Sequence, residues 1–281
     1  MNHGRERLPW GEDVWKSMDD AVHDEVQRTS IATKFIPLHG PAPAPEILTV
    51  PSDIINPDTM TVDEVAVTPI VELGVEFGLT RQQVGNEAQL ATAITLATRS
   101  ANLLAQGEDM TLFQGDKAFG NPLFGRVKHT GGSAGSGLLY ATKQVVLVPP
   151  VSPGVYGENT FKAVAQAYSL LQGQGHYGPY ALALRSEVYA DTYAPLPDTL
   201  AMPADRIKPL VSLGFYGTGT VPPSTGLMIS VGGNTVDLVA SVDPVTEFLQ
   251  VDPDGTYRFK VFERFALRIK DATAIVQFQF Q

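Results

Sequence analysis

The stretch YRFKVFERFALRIKDATAIVQFQFQ, residues 257–281, alternates almost without interruption. Tyr257, Phe259, Val261, Phe265, Leu267 and Ile269 share one parity, broken only by Glu263. Arg258, Lys260, Arg264, Arg268 and Lys270 share the other. Successive side chains of a strand point to opposite faces, so this is a strand with one apolar and one cationic face. After Asp271 and Ala272 the alternation resumes, with Val276, Phe278 and Phe280 against Gln277, Gln279 and Gln281. The stretch reads as a long antiparallel hairpin that closes the chain.

Working back from this end, strands are expected over 227–231 and 236–242, and a helix over about 203–213. The segment GHYGPYALALRSEVYADTY reads as a loop, a short buried strand and a helix from Ser186. Asn159 is placed to cap a helix carrying Phe161, Val164, Tyr168 and Leu171 and ended by Gly173. Residues 116–158 are loop-rich around the β-branched run 144–148. The longest helical pattern covers 87–114, where Leu90, Ile94, Ala97, Ala101 and Leu104 recur before Gly115. Before it, AVTPIVELGVEFGLT alternates as a strand, and residues 46–80 read as a long two-stranded excursion turned at 56–59. Five prolines between Pro37 and Pro51 exclude a helix or central strand there. Trp15, Met18, Val22 and Val26 line one face of a helix over 12–34, with Asp19, Asp20 and Asp24 opposite. The layout is α+β, without βαβ repetition.

Composition narrows the function. The 281 residues include no Cys, which removes disulfides, thiolate nucleophiles and Cys-ligated zinc. Thirty acidic against twenty basic residues, net −10, argue against a nucleic-acid surface. The charged fraction of 18% is low, which suggests a surface largely covered by partners. No apolar run is long enough to span a bilayer, and Arg5 and Arg7 have no apolar core behind them, so neither membrane nor secretory export is expected. A cytoplasmic protein that assembles is the expectation.

Catalytic motifs are scarce. Gly131–Gly132–Ser133–Ala134–Gly135 matches G-x-S-x-G, but the surrounding HTGGSAGSG shows neither the strand nor the helix an exposed nucleophile needs, so it reads as a mobile linker. A triad would have to recruit His176 and Glu158. The five histidines lack metal-ligand spacing, so no metal is expected. Glu108 and Asp109 are neighbours on a helix and do not share a face, which favours a structural role over a catalytic carboxylate pair. No enzyme and no catalytic residue is legible.

Four collinear stretches nevertheless resemble one family, the family-one (linocin-type) encapsulins, shell proteins of bacterial and archaeal nanocompartments. They are KFIPLHGP (34–41), PIVELGVEFGLTRQQV (69–84), EDMTLFQG (108–115), and GQGHYGPYALALRSEVY (173–189) followed by VDLVASVD and FKVFERFALRIKDATAIVQF. The resemblance implies the Hong Kong 97-like fold of tailed-phage capsid proteins. It divides the chain into an N-terminal helix and connector (1–46), an extended loop (47–75), a peripheral domain (76–134 and 229–281) and an axial domain (135–228). It implies self-assembly of about 60 copies, or a multiple, into an icosahedral shell. Such a shell encloses a cargo enzyme, such as a peroxidase or a ferritin-like protein, that carries a C-terminal targeting peptide.

The resemblance also assigns sites. The cargo peptide would dock in an apolar groove at Met18, Val22, Val26, Ile31 and Phe35. This chain has Thr33 and Pro37 where many relatives have an Arg and an Asp, which bears on cargo preference. Some relatives hold a flavin through a tryptophan; here Gln82 or a neighbour stands at that place, so no flavin is expected. The axial loop would surround a fivefold pore with Tyr193, Pro195, Pro197, Asp198 and Asp205, the prolines stiffening it and the carboxylates admitting cations. Two rival readings are a phage or prophage major capsid protein, which shares the fold, and a serine hydrolase using Ser133.

Overall fold

The computed structural model describes residues 3–40, 42–56, 59–63, 65–195 and 200–281. Helix α1 (Glu12–Thr29) buries Trp15, Met18, Val22 and Val26, the face set by their spacing. An arm follows, made of β1 (Thr49–Pro51), β2 (Ile55–Asn56), β3 (Thr61–Val62) and β4 (Val67–Pro69). Within it β1 pairs β4 and β2 pairs β3, both antiparallel. Strand β5 (Val71–Leu79) returns to the body and passes through a Thr80–Gln83 capping box into α2 (Arg81–Gly85), α3 (Glu87–Leu90) and α4 (Thr92–Gln114). Then come β6 (Val127–Gly131), α5 (Gly137–Ala141), β7 (Val145–Val148), α6 (Gly157–Gly173), β8 (Tyr180–Arg185), α7 (Ser186–Asp191) and α8 (Pro203–Ile207). Strands β9 (Gly214–Thr218), β10 (Thr225–Ser230), β11 (Val236–Val251), β12 (Tyr257–Ile269) and β13 (Ile275–Phe280) complete the chain.

Two sheets carry the body. The antiparallel sheet β11–β12–β5–β6 packs one face on α1 and α4, around Met18, Leu73, Leu104, Phe113 and Phe259. The mixed sheet β7–β13–β10–β8–β9 packs on α6, around Leu171, Leu182, Met228 and Phe278. Each helix contributes an apolar stripe and each sheet an apolar face, which is the condition for a layered core.

Three expectations are corrected. Strands β12 and β13 do not form a hairpin: β12 pairs β11 and β5, whereas β13 pairs β10 and β7 in the other sheet. A 3₁₀ turn, Ala272–Ala274, started by Asp271 accepting from Thr273 N at 2.9 Å, redirects the chain between the sheets. Residues 275–280 therefore pair within the sheet formed otherwise by strands between residues 145 and 230. Next, the long helix starts at Thr92, because Ala91 adopts a left-handed conformation (φ 48°) and Leu90 is exposed. The Glu87 carboxylate accepts from Ala93 N and Ile94 N and so caps the new start.

The third correction concerns the glycine-rich run, which is a fitted loop. Gly115, at the end of α4, and Gly137, at the start of α5, both have positive φ and lie backbone to backbone, so a Cβ on either would collide with the other segment. A strand precedes the run and a short helix follows it, contrary to the sequence reading.

Candidate assembly interface

The arm has almost no interior of its own. Its two-residue pairing β2–β3 leaves Ile54, Met60, Val62, Val65 and Val67 in solvent, Met60 at 82% and Val65 at 87% exposure. Apolar side chains so exposed along one excursion mark a surface that another molecule covers. The root is seated: Val50 and Ile70 pack on Val239 and Ala266, on the face of the β11–β12 pair that points away from α4.

That face also carries the cationic parity of β12, and every cation on it is engaged. Lys260 Nζ meets Glu72 at 2.6 Å. Arg264 donates to the backbone carbonyls of Pro45 and Ile47 in the connector. Arg268, 3% exposed, forks onto both carboxylate oxygens of Asp237 at 2.7 Å and reaches Pro51 O at 3.1 Å and Asp53 Oδ2 at 2.5 Å. Lys270 Nζ adds a third contact to Asp237 at 2.7 Å. Burial alone would push the Asp237 carboxyl up, but the hydrogen bonds from Arg268 and Lys270 outweigh it and hold the group below its ordinary range.

On the opposite face, α1 is stapled to α4 by a carboxylate. Asp109 accepts from Ser30 Oγ at 3.0 Å, Ile31 N at 3.0 Å, Ala32 N at 2.9 Å and Thr220 Oγ1 at 3.4 Å. Burial still pushes its carboxyl up to about 6. Glu108 and Glu263 of β12 are buried as well, close enough for their charges to act on each other. Burial, with the Asp109 charge beside it, pushes Glu108 up to about 8, and burial with Glu108, Asp109 and Asp243 nearby raises Glu263 as well. Glu108 Oε2 and Glu263 Oε1 have no hydrogen-bond partner.

The site residues expected from the resemblance fare differently. Met18 and Val22 are 0% exposed, and Val26 and Phe35 are also buried; Ile31 is half-buried. The face expected to lie open is covered by α4 and β11 of the same chain, because its stripe completes the first core. Beside α1 lie two open clefts among the described residues, one between its first turns and the N-terminal segment around Arg5, Trp10 and Lys16, and an acidic one lined by Asp19, Asp20, His23, Asp24, Asp243, Pro244 and Val245.

At the axial loop, Tyr193 is half-buried and hydrogen-bonds Tyr189 at 2.9 Å. Pro195 is exposed. Asp205 is exposed and 3.8 Å from Lys208. Pro203 is the first residue of α8 and is buried. Pro197 and Asp198 lie outside the described residues.

Ser133 donates to Asp116 at 2.5 Å, while His176 bonds Thr273 and Glu158 bonds Arg206, so the three members of a hypothetical triad have separate partners. Gln82 sits in α2 and is exposed. Among the described residues no group of three or more His, Asp or Glu side chains is placed to hold a metal, and no helix is long and apolar enough to cross a membrane.

Sequence reading missed the ion pairs at the root of the arm: the cationic parity of β12 is visible in the sequence, but Asp53 and Asp237 lie too far away to signal their partnership with Arg268.

Comparison with known proteins agrees with this architecture. The type 1 encapsulin shell protein EncA of Myxococcus xanthus is 26% identical over 288 residues, covering 97% of this chain and 94% of its own. The virus-like particle from Pyrococcus furiosus superposes with a TM-score of 0.69 at 18% identity, covering 94% of this chain and 99% of that one. A chain of Mycobacterium phage Bobi superposes with a TM-score of 0.60 at 14% identity, covering 92% and 90%. The fold is that of Hong Kong 97-like capsid proteins. The Linocin_M18 family, described as an encapsulating protein for peroxidase, matches residues 1–266, and the chain belongs to that family.

Proposed function

We propose that the chain assembles with copies of itself into a closed icosahedral shell in the cytoplasm that encloses a cargo enzyme bearing a C-terminal targeting peptide. The observation that carries this reading is the arm, whose exposed apolar residues only a neighbouring copy would bury. The low charge content and net charge of −10 suit a surface given over to self-contact and unsuited to packaged nucleic acid, which sets the phage capsid reading behind this one. Gln82 or a neighbour stands where some relatives have a flavin-holding tryptophan, so this reading includes no flavin.

Peptide docking on α1 is read differently from the sequence expectation. With Met18, Val22, Val26 and Phe35 in the core, the peptide is assigned instead to the acidic cleft beside the helix, where Pro244 and Val245 supply apolar surface next to Asp20 and Asp24. A peptide that fits it pairs apolar residues with basic ones.

The test is protection. Particles isolated from the source cells are treated with protease and nuclease, opened, and their contents identified by mass spectrometry. A protease-protected enzyme of peroxidase or ferritin-like type, without protected nucleic acid, is expected; protected DNA and no enzyme would favour the capsid reading. Asp20→Lys with Asp24→Lys is expected to lower cargo content about tenfold or more without changing particle mass, since charge reversal across a docking cleft costs at least ~1.4 kcal/mol.

A further inference from the structure

The least expected feature of the body is that the cationic face of β12 is covered. Arg264 and Arg268 lie on the same face and grip three backbone carbonyls of the segment entering the arm, those of Pro45, Ile47 and Pro51. A guanidinium offers five donors in a fixed plane, so it can hold two partners at a set angle where a lysine ammonium holds a point. Arg268 uses that geometry fully. One edge is fixed to Asp237 of the body by two bonds of 2.7 Å, and the remaining nitrogen reaches Asp53, in the arm, at 2.5 Å. Asp53 stands where the arm turns, in a left-handed conformation (φ 52°), two residues past β1. Just beyond, Ile55 N donates to Lys270 O at 2.9 Å, so the backbone is pinned beside the same cluster. The small cluster of Val50, Ile70, Val239 and Ala266 seats the root beside these contacts.

We infer that the Asp237–Arg268–Asp53 relay, with Arg264 beside it, is the clamp that sets the angle of the arm to the body and thereby decides whether copies close into particles of a single size. The inference rests on the shell reading and adds named positioning residues to it. An arm of this length turns a small rotation at its root into a large displacement at Met60 and Val65. Closure of a shell of about 60 copies requires the same angle in every copy, and a larger shell a fixed small set of angles.

The test uses the full chain with Asp53→Asn as the principal variant. Asn accepts the left-handed backbone as Asp does, so the change removes the charge and leaves the conformation open to it. Arg268→Lys is the second variant, keeping a cation beside Asp237 while losing the fork. Three readouts are taken: particle mass distribution, the guanidinium concentration at which particles open, and amide hydrogen exchange over residues 46–56. Unfolding of dissociated subunits is followed by the fluorescence of Trp10 and Trp15, which sit in the body against Phe259.

For Asp53→Asn the tryptophan transition is expected to stay at the wild-type position while exchange at Ile55 accelerates, the single mass peak broadens or splits, and particles open at lower guanidinium. Asp53→Glu, which restores the charge, is expected to recover part of the opening midpoint. Unchanged mass and opening midpoint in Asp53→Asn would overturn the clamp, whether or not exchange changes. Wild-type chain that forms no particle at all would instead overturn the shell reading beneath it.

Discussion

Three carboxyl groups, Glu108, Asp109 and Glu263, are buried together where α4 meets β12, and no cation is among the causes of their shifted proton affinities. Glu108 is raised from an ordinary value of 4.5 to about 8 by burial and by Asp109. Between those two pH values the folded chain keeps a proton that the unfolded chain releases. Stability therefore falls as pH rises through that window and levels off above it. Glu108→Gln and Glu263→Gln are expected to flatten the slope and to stabilise dissociated subunits by about 1–3 kcal/mol at pH 8, as measured by guanidinium unfolding at pH 5, 6.5 and 8. A wild-type stability that climbs across this range would contradict the assignment. The carboxyls were legible as oddities in the sequence, Glu263 as the break in an apolar parity and Glu108–Asp109 as acids at the wrong end of a helix dipole. Their meeting was not legible, because it depends on two elements more than 150 residues apart.

At the level of elements, local pattern revealed strands and helices and failed on what lies across from them. The spacing of Trp15, Met18, Val22 and Val26 correctly gave the buried face of α1. The question of what covers it was answered by α4 and β11 of the same chain. Residues 257–270 and 276–280 alternate with few breaks, yet alternation says only that a segment is half-buried; it carries no information on which strand pairs it, and the 3₁₀ turn at Ala272–Ala274 sends β13 to the second sheet.

The start of α6 shows the same limit. Asn159 was the local candidate for a cap, but it lies inside the helix and donates to Pro149 O at 3.0 Å. The carboxylate of Asp191, from the end of α7, accepts instead from Tyr156 N at 2.7 Å and Gly157 N at 2.6 Å. Asp191→Ala is expected to cost about 0.5–2 kcal/mol in subunit unfolding and Asn159→Ala less, a comparison made under one set of conditions. The reverse order would show that α6 is nucleated locally after all.

For the whole molecule, the informative sequence property was a deficit: 18% charged residues on a chain of 281, with a long excursion that no compact domain needs. The family resemblance gave that deficit a cause, and the family match over residues 1–266 agrees with it. Met60→Asp with Val65→Asp places two charges on side chains that are 82% and 87% exposed in the subunit. The subunit is expected to fold with its tryptophan transition unchanged, because surface changes without buried partners cost little, within about 0.5 kcal/mol. Assembly is expected to fail, because a neighbour would have to desolvate both charges. Particles as abundant as wild type would mean that the arm tip is not an interface.

The central claim, that this chain closes into a shell of its own copies, is tested most directly by the native mass of the purified full-length chain at neutral pH. Sixty copies of a 30.2 kDa chain predict a sharp peak at about 1.8 MDa, or an integer multiple of it for a larger shell. A folded monomer, dimer or small ring at assembly concentrations would contradict the account.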